Sequence, residues 1–483
     1  MNREFLVNLT LLLLINLLIK PFYTFGIDLR VQNLVGIENY GLYFALLNFS
    51  YIFQIFSDLG LQQYNSRNIA QYSFLVDKYF PHMLVLKGIL AGGVLCSGFV
   101  VALLLGYQAN SLYFLLFLLS NQILISFLFF LRFNISGLGH YRLDSLFSAL
   151  DKLLMVLICG GLVWTSLADN FQIEWFLYAQ TTAYLLSVVV VFMANLKYLK
   201  RPLGFKFKPL VLWVILKNSL PFALVVFLMT LYTRIDAVMI ERLLGAVEGR
   251  EQAGIYAFAY RILDTSNMLV FLFATLLLPM FSRLLNQPEE LKALLRLSLQ
   301  LMLVLTVGLS MSLFYYGAEI SQALFEQYTP YTAEVFSLLI LTFNALGLLA
   351  VFGTLLTANG RLHAVNMLFV LGIIVNVLLN FGLIPKYGAW GASLSTLCTQ
   401  GLVAIGEMVL VIRIFDWRGD VKLYLQVIFF IALSLLITHT TYIYLELDWI
   451  VKFLFTGIGI LGIAFLVKLI PYSDLLAVFK MQK

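Results

Sequence analysis

Residues 40–49 read YGLYFALLNF and residues 253–262 read AGIYAFAYRI, so one pattern of glycine and aromatic residues recurs 213 positions along the chain. A second pair of segments, GLGHYRLDS from 137 and TANGRLHAVN from 357, recurs at a similar offset. Both copies of the first pattern follow an apolar run with a proline and then an aspartate: Pro21 and Asp28, Pro221 and Asp236. The sequence therefore contains a long internal repeat.

The repeat lies in a chain that is too apolar for a soluble fold. Of its 483 residues, 61% are hydrophobic and 12% are charged, whereas soluble domains are about 45–50% apolar and about 25% charged. The same composition excludes disorder. The cysteines, Cys96, Cys159 and Cys398, lie in separate apolar runs without disulfide or metal-ligand spacing. We therefore expect a multi-pass membrane protein with no metal site and no cofactor.

Continuous apolar runs predict the membrane-spanning helices. A helix needs about 20 mostly apolar residues to cross the hydrocarbon core, and an open sheet edge cannot lie in lipid. The first run has no small-residue cleavage site after it, so we expect an uncleaved helix rather than a signal peptide. Fourteen runs are long enough, near 6–29, 40–62, 83–106, 111–134, 146–168, 172–196, 211–236, 254–281, 294–316, 332–357, 363–384, 389–412, 424–445 and 450–470.

Basic residues predict the orientation of these spans. Fourteen spans place both termini on one side, and 23 of the 31 Lys and Arg residues fall on that side against five on the other. Because cytoplasmic loops carry the excess of Lys and Arg, both termini are expected in the cytoplasm, with the chain in the cell's inner or plasma membrane. The net charge of +6 then reflects topology and anionic membrane lipid, and no nucleic-acid partner is predicted.

Both repeated patterns pair each span with the sixth span after it. Since six is even, the two copies share an orientation, which is typical of parallel-repeat transporters. The predicted fold is all-α, with two six-helix lobes and a C-terminal helix pair. The predicted division is an N-terminal lobe (1–196), a basic cytoplasmic linker (197–210), a C-terminal lobe (211–412) and the appended helices (413–483).

Segments of both lobes resemble the polysaccharide exporters, or O-antigen-type flippases, of the multidrug/oligosaccharidyl-lipid/polysaccharide (MOP) superfamily. No single segment is specific, but the set follows the order of the family. The matching segments are GIENYGLYFAL (36–46), FSDLGLQQYNSRNIA (56–70), SLPFALVVFLMTLYTRIDAVMIERLLG (219–245), AGIYAFAYRILD (253–264), TANGR (357–361) and LIPKYGAWGASLST (383–396).

The resemblance implies two helix bundles around a central cavity that opens to each side in turn. It implies a polyprenyl-pyrophosphate-linked glycan as cargo, such as a lipopolysaccharide O-antigen unit, with basic cavity residues that hold the pyrophosphate. It also makes a glycan polymerase a candidate partner, beside the membrane lipid itself.

Charged residues inside the spans are the candidate site residues, because an ionisable group at mid-bilayer costs at least about 2.5–3.5 kcal/mol. Lys20 lies near the centre of the first span. Asn16, Thr24 and Asp28 follow the same helix face at steps of four residues. This polar stripe predicts a wet cavity, and Pro21 predicts a bend at that depth. The alternative for Lys20 is snorkelling to the surface.

The predicted cargo site joins bases from several spans. Lys20, Arg234 and Arg261 are expected to line the cavity, and Arg30 and Arg67 either form its rim or anchor the surface. Arg261 could instead pair with Asp264 or Asp236. Candidates for a charge pair or for coupling to Na⁺ or H⁺ are Asp28, Asp236, Asp264, Asp58 and Glu407, of which the last two could also be interfacial.

No catalytic residue is predicted. Walker A, HExxH and GxSxG patterns are absent from the sequence, and the predicted outer connections are short. A membrane glycan polymerase or glycosyltransferase is therefore the weaker alternative. The stronger alternative is a MATE-like cation-coupled drug antiporter of the same superfamily, which would have twelve spans and an acidic cavity. Asn376 and Asn380, one helical turn apart, are expected to bond a neighbouring helix.

Overall fold

The computed structural model describes residues 15–62, 75–198, 209–417 and 421–470, and all regular structure in these ranges is helical. Large apolar side chains such as Leu104, Leu210 and Leu466 are about 80% exposed. Such exposure of isolated helix faces is expected where the surrounding solvent is lipid. The all-α membrane fold predicted from the apolar runs is confirmed.

The helices are numbered here in chain order, beginning with α1 at residues 15–35, whose middle part Tyr23–Asp28 is π-helical. The helices that follow up to the middle of the chain are α2 (Ile37–Gln54), α3 (Leu75–Leu104), α4 (Ala109–Gly137), α5 (Tyr141–Phe147), α6 (Leu150–Val163), α7 (Ile173–Leu196), α8 (Pro209–Leu243) and α9 (Glu248–Leu284).

The later helices include one that is interrupted. In α14 (Leu362–Phe415) the residue Gly388 has φ 56° and ψ −135°, so two helices meet there, and glycine tolerates this positive φ. The others are α10 (Pro288–Tyr315), α11 (Gly317–Leu324), α12 (Pro330–Ile340), α13 (Thr342–Ala358), α15 (Val421–Tyr444) and α16 (Trp449–Leu466).

Ten helices of the described chain are long and apolar enough to cross a membrane. One of them is α14, which contains the eleventh and twelfth predicted spans on either side of Gly388. The first, second and seventh predicted spans are not among the ten, so the total of fourteen stays a prediction.

The second predicted span shows why apolar character alone misses some helices. Most of α2 is buried, including Asn48, which donates a hydrogen bond to the carbonyl oxygen of Phe44 at 2.8 Å. A helix enclosed by other helices can carry polar side chains that a lipid-facing helix cannot. The absence of α2 from the ten helices therefore reflects polar side chains that its interior position tolerates.

The chain divides into two compact units, Met1–Gly254 and Ile255–Lys483. In the first unit α2 lies against α4 and α8, and α4 lies against α7. In the second unit α13 lies against α10 and α14, while the α15–α16 pair lies against α10. The lobe boundaries expected from the repeat stay a prediction, since most of the 197–210 linker lies outside the described residues.

Within the first unit, α2 and the first two turns of α9 cross with their backbones in contact. A Cβ atom added at Gly41 would lie closer than 3 Å to the carbonyl oxygen of Arg250. A Cβ atom added at Gly254 would also lie closer than 3 Å to the carbonyl oxygen of Ile37. The 213-residue offset of the repeat relates Gly41 to Gly254 and Ile37 to Arg250. We call this contact the glycine crossing. Each glycine lies against the residue four positions before the other glycine, and this symmetry supports the predicted equivalence of the two repeats.

Candidate functional site

The polar stripe of α1 faces protein. Asn16 donates to the hydroxyl of Ser148 at 2.8 Å, and buried Asp28 accepts from the hydroxyl of Tyr40 at 2.8 Å. Directly after Pro21 the helix changes to π-helical geometry, an arrangement often found at functional sites. The stripe therefore faces the interior of the first unit, and its lining of a wet cavity stays a prediction.

Lys20, in the middle of this stripe, is half-buried and lies within a group of charges. The charged side chains that act on it are Asp151, Lys152 and Arg132. Three cations and one carboxylate thus share one region of the first unit. Arg132 also forms an ion pair of 2.9 Å with Asp144.

Lys152 is surrounded by tyrosines. Its Nζ donates to the hydroxyl of Tyr184 at 3.1 Å and lies 4.7 Å from the ring centroid of Tyr23 and 5.3 Å from that of Tyr184. Tyr51 also acts on it electrostatically. Each cation–π contact is worth about 0.5–2 kcal/mol, so the rings help to hold the ammonium group, together with an ion pair of 3.5 Å to Asp151.

Arg234 joins the same region through Tyr51, because its guanidinium carbon lies 5.0 Å from the centroid of that ring. We call Lys20, Arg132, Lys152 and Arg234 the basic cluster. Its bases come from α1, α4, α6 and α8. Cations attract an anion far more strongly in a medium of low dielectric than in water, so this cluster can hold a phosphate-bearing group.

The contacts given above for the basic cluster do not include the other predicted cargo residues. Arg30 is half-buried in α1, and Arg261 is half-buried in the second unit, one turn before half-buried Asp264. Asp236 is buried in α8. Arg67 lies outside the described residues. The roles of these residues stay predictions.

Asp58, a predicted coupling residue, forms a buried ion pair. Its Oδ1 lies 2.9 Å from the Nζ of Lys87, which also donates to the Oγ of Ser126 at 2.7 Å and to the carbonyl oxygen of Ser57 at 3.3 Å. The side chain of Lys87 is fully buried. With every ammonium proton bonded, this arrangement fits a structural network within the first unit.

Glu407, in the second unit, is buried beside Gly353, and its Oε2 has no hydrogen-bond partner among the described residues. Asn376 meets its expectation, because it donates across the α14 interruption to the Oγ of Ser395 at 3.4 Å. Asn380 donates to Asn376 at 3.0 Å within the same helix segment, so its bond to a neighbouring helix stays a prediction. The described residues contain no group of three His, Cys, Asp or Glu that could hold a metal ion.

Sequence reasoning missed two members of the basic cluster. Lys152 and Arg132 were counted with the cytoplasmic loops, as was Lys87. The structure places all three within helices. The sequence did carry a sign of their role, because Lys152 falls inside the predicted span 146–168 and Arg132 inside the predicted span 111–134.

An all-α, multi-pass fold with half-buried bases inside its helical unit is the architecture of a membrane protein rather than of a soluble binding module. The profile of the family described as "Polysaccharide biosynthesis protein" matches residues 5–285, more than half of the chain. The chain therefore belongs to the polysaccharide biosynthesis protein family, as the resemblance of its segments predicted. The profile of "Lipid II flippase MurJ" matches residues 237–467.

Solved structures of the MOP superfamily share this fold. An inward closed conformation of the lipid II flippase MurJ aligns with a TM-score of 0.76 at 13% identity and covers 97% of this chain and 100% of its own. An inward-facing multidrug resistance MATE transporter aligns with a TM-score of 0.66 at 13% identity, covering 82% of this chain and 94% of its own.

A third structure, a MOP superfamily transporter from Pyrococcus furiosus, aligns with a TM-score of 0.59 at 14% identity, covering 85% of this chain and 96% of its own. At these identities the likeness concerns the fold alone. No curated protein sequence matches the chain.

Proposed function

We propose that this protein is a flippase that moves a polyprenyl-pyrophosphate-linked oligosaccharide from the cytoplasmic to the outer leaflet by alternating access. The basic cluster carries the proposal. Four bases gathered in one helical unit of a membrane protein can attract an anionic group, and a pyrophosphate brings about two negative charges. Membership of the polysaccharide biosynthesis family supports a glycan as the group attached to it.

Binding of the pyrophosphate must also be reversible. The four bases belong to four helices, so a relative movement of helices would separate them and weaken the site. Lys152 and Arg234 each lie against a tyrosine ring, and cations at such positions can form charge-assisted hydrogen bonds with phosphate oxygens.

The likeness to multidrug transporters keeps a cation-coupled drug antiporter as the second candidate. That activity favours an acidic site for cationic drugs. The basic cluster brings four bases together in one unit, which favours an anionic cargo.

Deletion of the gene followed by analysis of lipid-linked glycans tests the proposal. We expect a polyprenyl-linked oligosaccharide to accumulate on the cytoplasmic side. Complementation by Lys20→Ala or Arg234→Ala should leave the accumulation in place at normal membrane levels of the protein, and Lys20→Arg should relieve part of it because the charge remains. An unchanged lipid pool with altered drug sensitivity would support the antiporter instead.

A further inference from the structure

A polar depression of about 540 Å³ opens in the first unit, away from the basic cluster. It lies where the α1–α2 junction meets the first turns of α4, α7 and α9, on the predicted outer side of the membrane. Its volume falls in the range of about 300–1,000 Å³ that is usual for ligand sites. The polar residues that line it are Asn39, Asn110, Tyr113, Gln172, Glu174 and Arg250.

The charges of this depression differ from those of the basic cluster. Its only charged lining residues are Glu174 and Arg250, and Arg250 already pairs with Glu38 at 3.3 Å. A phosphate group would therefore find no surplus of positive charge there. The site fits an uncharged, polar ligand better than the pyrophosphate.

Its hydrogen-bonding groups are both donors and acceptors. The side chains of Asn110 and Gln172 are exposed and form no hydrogen bond with any described residue. Side-chain amides offer two donors and one acceptor oxygen. The half-buried carboxylate of Glu174 adds acceptors. A ligand with adjacent hydroxyl groups fits these donors and acceptors, because each hydroxyl group can both donate and accept a hydrogen bond.

One wall of the depression is a fixed aromatic ring. Tyr113 is 44% exposed, and its hydroxyl lies 2.6 Å from that of Tyr178. The ring of Phe117 lies edge-on, 5.2 Å from each of the two tyrosine rings. A rigid aromatic face with polar groups around it can cover the C–H face of a sugar ring while the hydroxyls bond at its edge.

We propose that this depression binds the sugars of the glycan on the outer side, as a neutral site separate from the one for the pyrophosphate. The inference rests on the proposed function, since it takes the cargo to be a glycan. It assigns the two recognition tasks to different places: charge to the basic cluster, and hydroxyl groups to the depression.

Binding of a soluble probe to the purified full chain tests this site. The probe is the oligosaccharide released by mild acid from the lipid-linked pool of the producing cells, so it carries no lipid and no pyrophosphate. We expect calorimetry or saturation-transfer NMR to detect binding, and Asn110→Ala/Gln172→Ala to weaken it roughly tenfold, because two amide hydrogen bonds are lost. Neither amide has a partner within the described chain, so the fold should survive.

The matched control is Asn286→Ala/Gln287→Ala, which removes the same two residue types from an exposed turn before α10. It should bind the probe like the wild type. The inference is wrong if the wild type does not bind the probe, or if both double variants bind it equally. Either result would count against this site even if deletion of the gene causes the lipid-linked pool to accumulate. An unchanged pool after deletion would instead overturn the proposed function.

Discussion

At the scale of single residues, Lys152 is the member of the basic cluster with the best-defined surroundings. Two aromatic rings and a tyrosine hydroxyl position its Nζ, and its charge also acts on Lys20. Removal of this charge would therefore weaken the cluster at its most ordered point.

We predict that Lys152→Ala lowers glycan translocation at least about tenfold, equivalent to about 1.4 kcal/mol, while Lys152→Arg keeps part of the activity. The measurement is surface glycan in the complemented deletion strain, normalised to the protein in the membrane. Lys292→Ala is the control, since Lys292 is half-buried, 3.8 Å from the exposed Glu289, and such surface pairs contribute little. Full activity of Lys152→Ala would remove it from the site.

The Asp58–Lys87 pair leads to a prediction about stability. Breaking a buried pair leaves one uncompensated charge and costs about 3–5 kcal/mol. We predict that Lys87→Met lowers the Tm of the detergent-purified protein, and that Asp58→Asn/Lys87→Met recovers part of the loss because no lone charge remains. If both variants unfold at the wild-type temperature, the pair is not a structural element.

The sequence allowed part of the basic cluster to be predicted. Lys20 and Arg234 could be found because each interrupts an apolar run. Lys87, Lys152 and Arg132 were not among the predicted site residues, because each lies within a few residues of the end of a predicted span, where the sequence does not show whether a residue belongs to helix or loop. For example, α3 begins at Leu75, whereas its apolar run begins near 83. The tyrosines around Lys152 come from distant segments, which no local pattern reveals.

At the scale of helices, the glycine crossing permits a sharp test. Any side chain at Gly41 or Gly254 would push α2 and α9 apart at the backbone. We predict that Gly41→Ala and Gly254→Ala each reduce glycan translocation about tenfold or more at equal membrane levels, and to a similar degree because the repeat makes the two positions equivalent.

Gly92→Ala in α3 is the matched control. A Cβ atom there meets no atom within 4 Å, and alanine is favoured over glycine inside a helix by roughly 0.5–1 kcal/mol. Its activity should equal that of the wild type. Wild-type activity in Gly41→Ala as well would show that the crossing can separate without loss of function.

At the scale of the whole molecule, the orientation in the membrane can be tested by cysteine labelling. In a variant without Cys96, Cys159 and Cys398, single cysteines at 108, 170 and 328 should react with a membrane-impermeant reagent added outside intact cells. The basic asymmetry of the loops is the physical reason. Labelling at these sites only after the cytoplasm is made accessible would reverse the predicted topology.

The membrane fold and its family could be predicted from the apolar runs and the repeated segments, but the borders of compact units could not. The first unit ends at Gly254, inside α9, because Gly254 contacts Ile37 and accepts a hydrogen bond of 2.8 Å from Gln32. A division made from the sequence places its borders at loops. The border of a compact unit is set instead by contacts between residues far apart in the sequence.

The glycine crossing also sets an order of events during biosynthesis. Its two halves are 213 residues apart in the sequence, and ribosomes add about 5–20 residues per second, so α2 waits about 10–40 s for its partner to emerge. Throughout that interval the backbone face around Gly41 is inserted but uncovered. A nascent chain that stops after α8 would therefore present an open helix surface to the insertion machinery and to membrane proteases, and its clearance would act as quality control on unfinished copies.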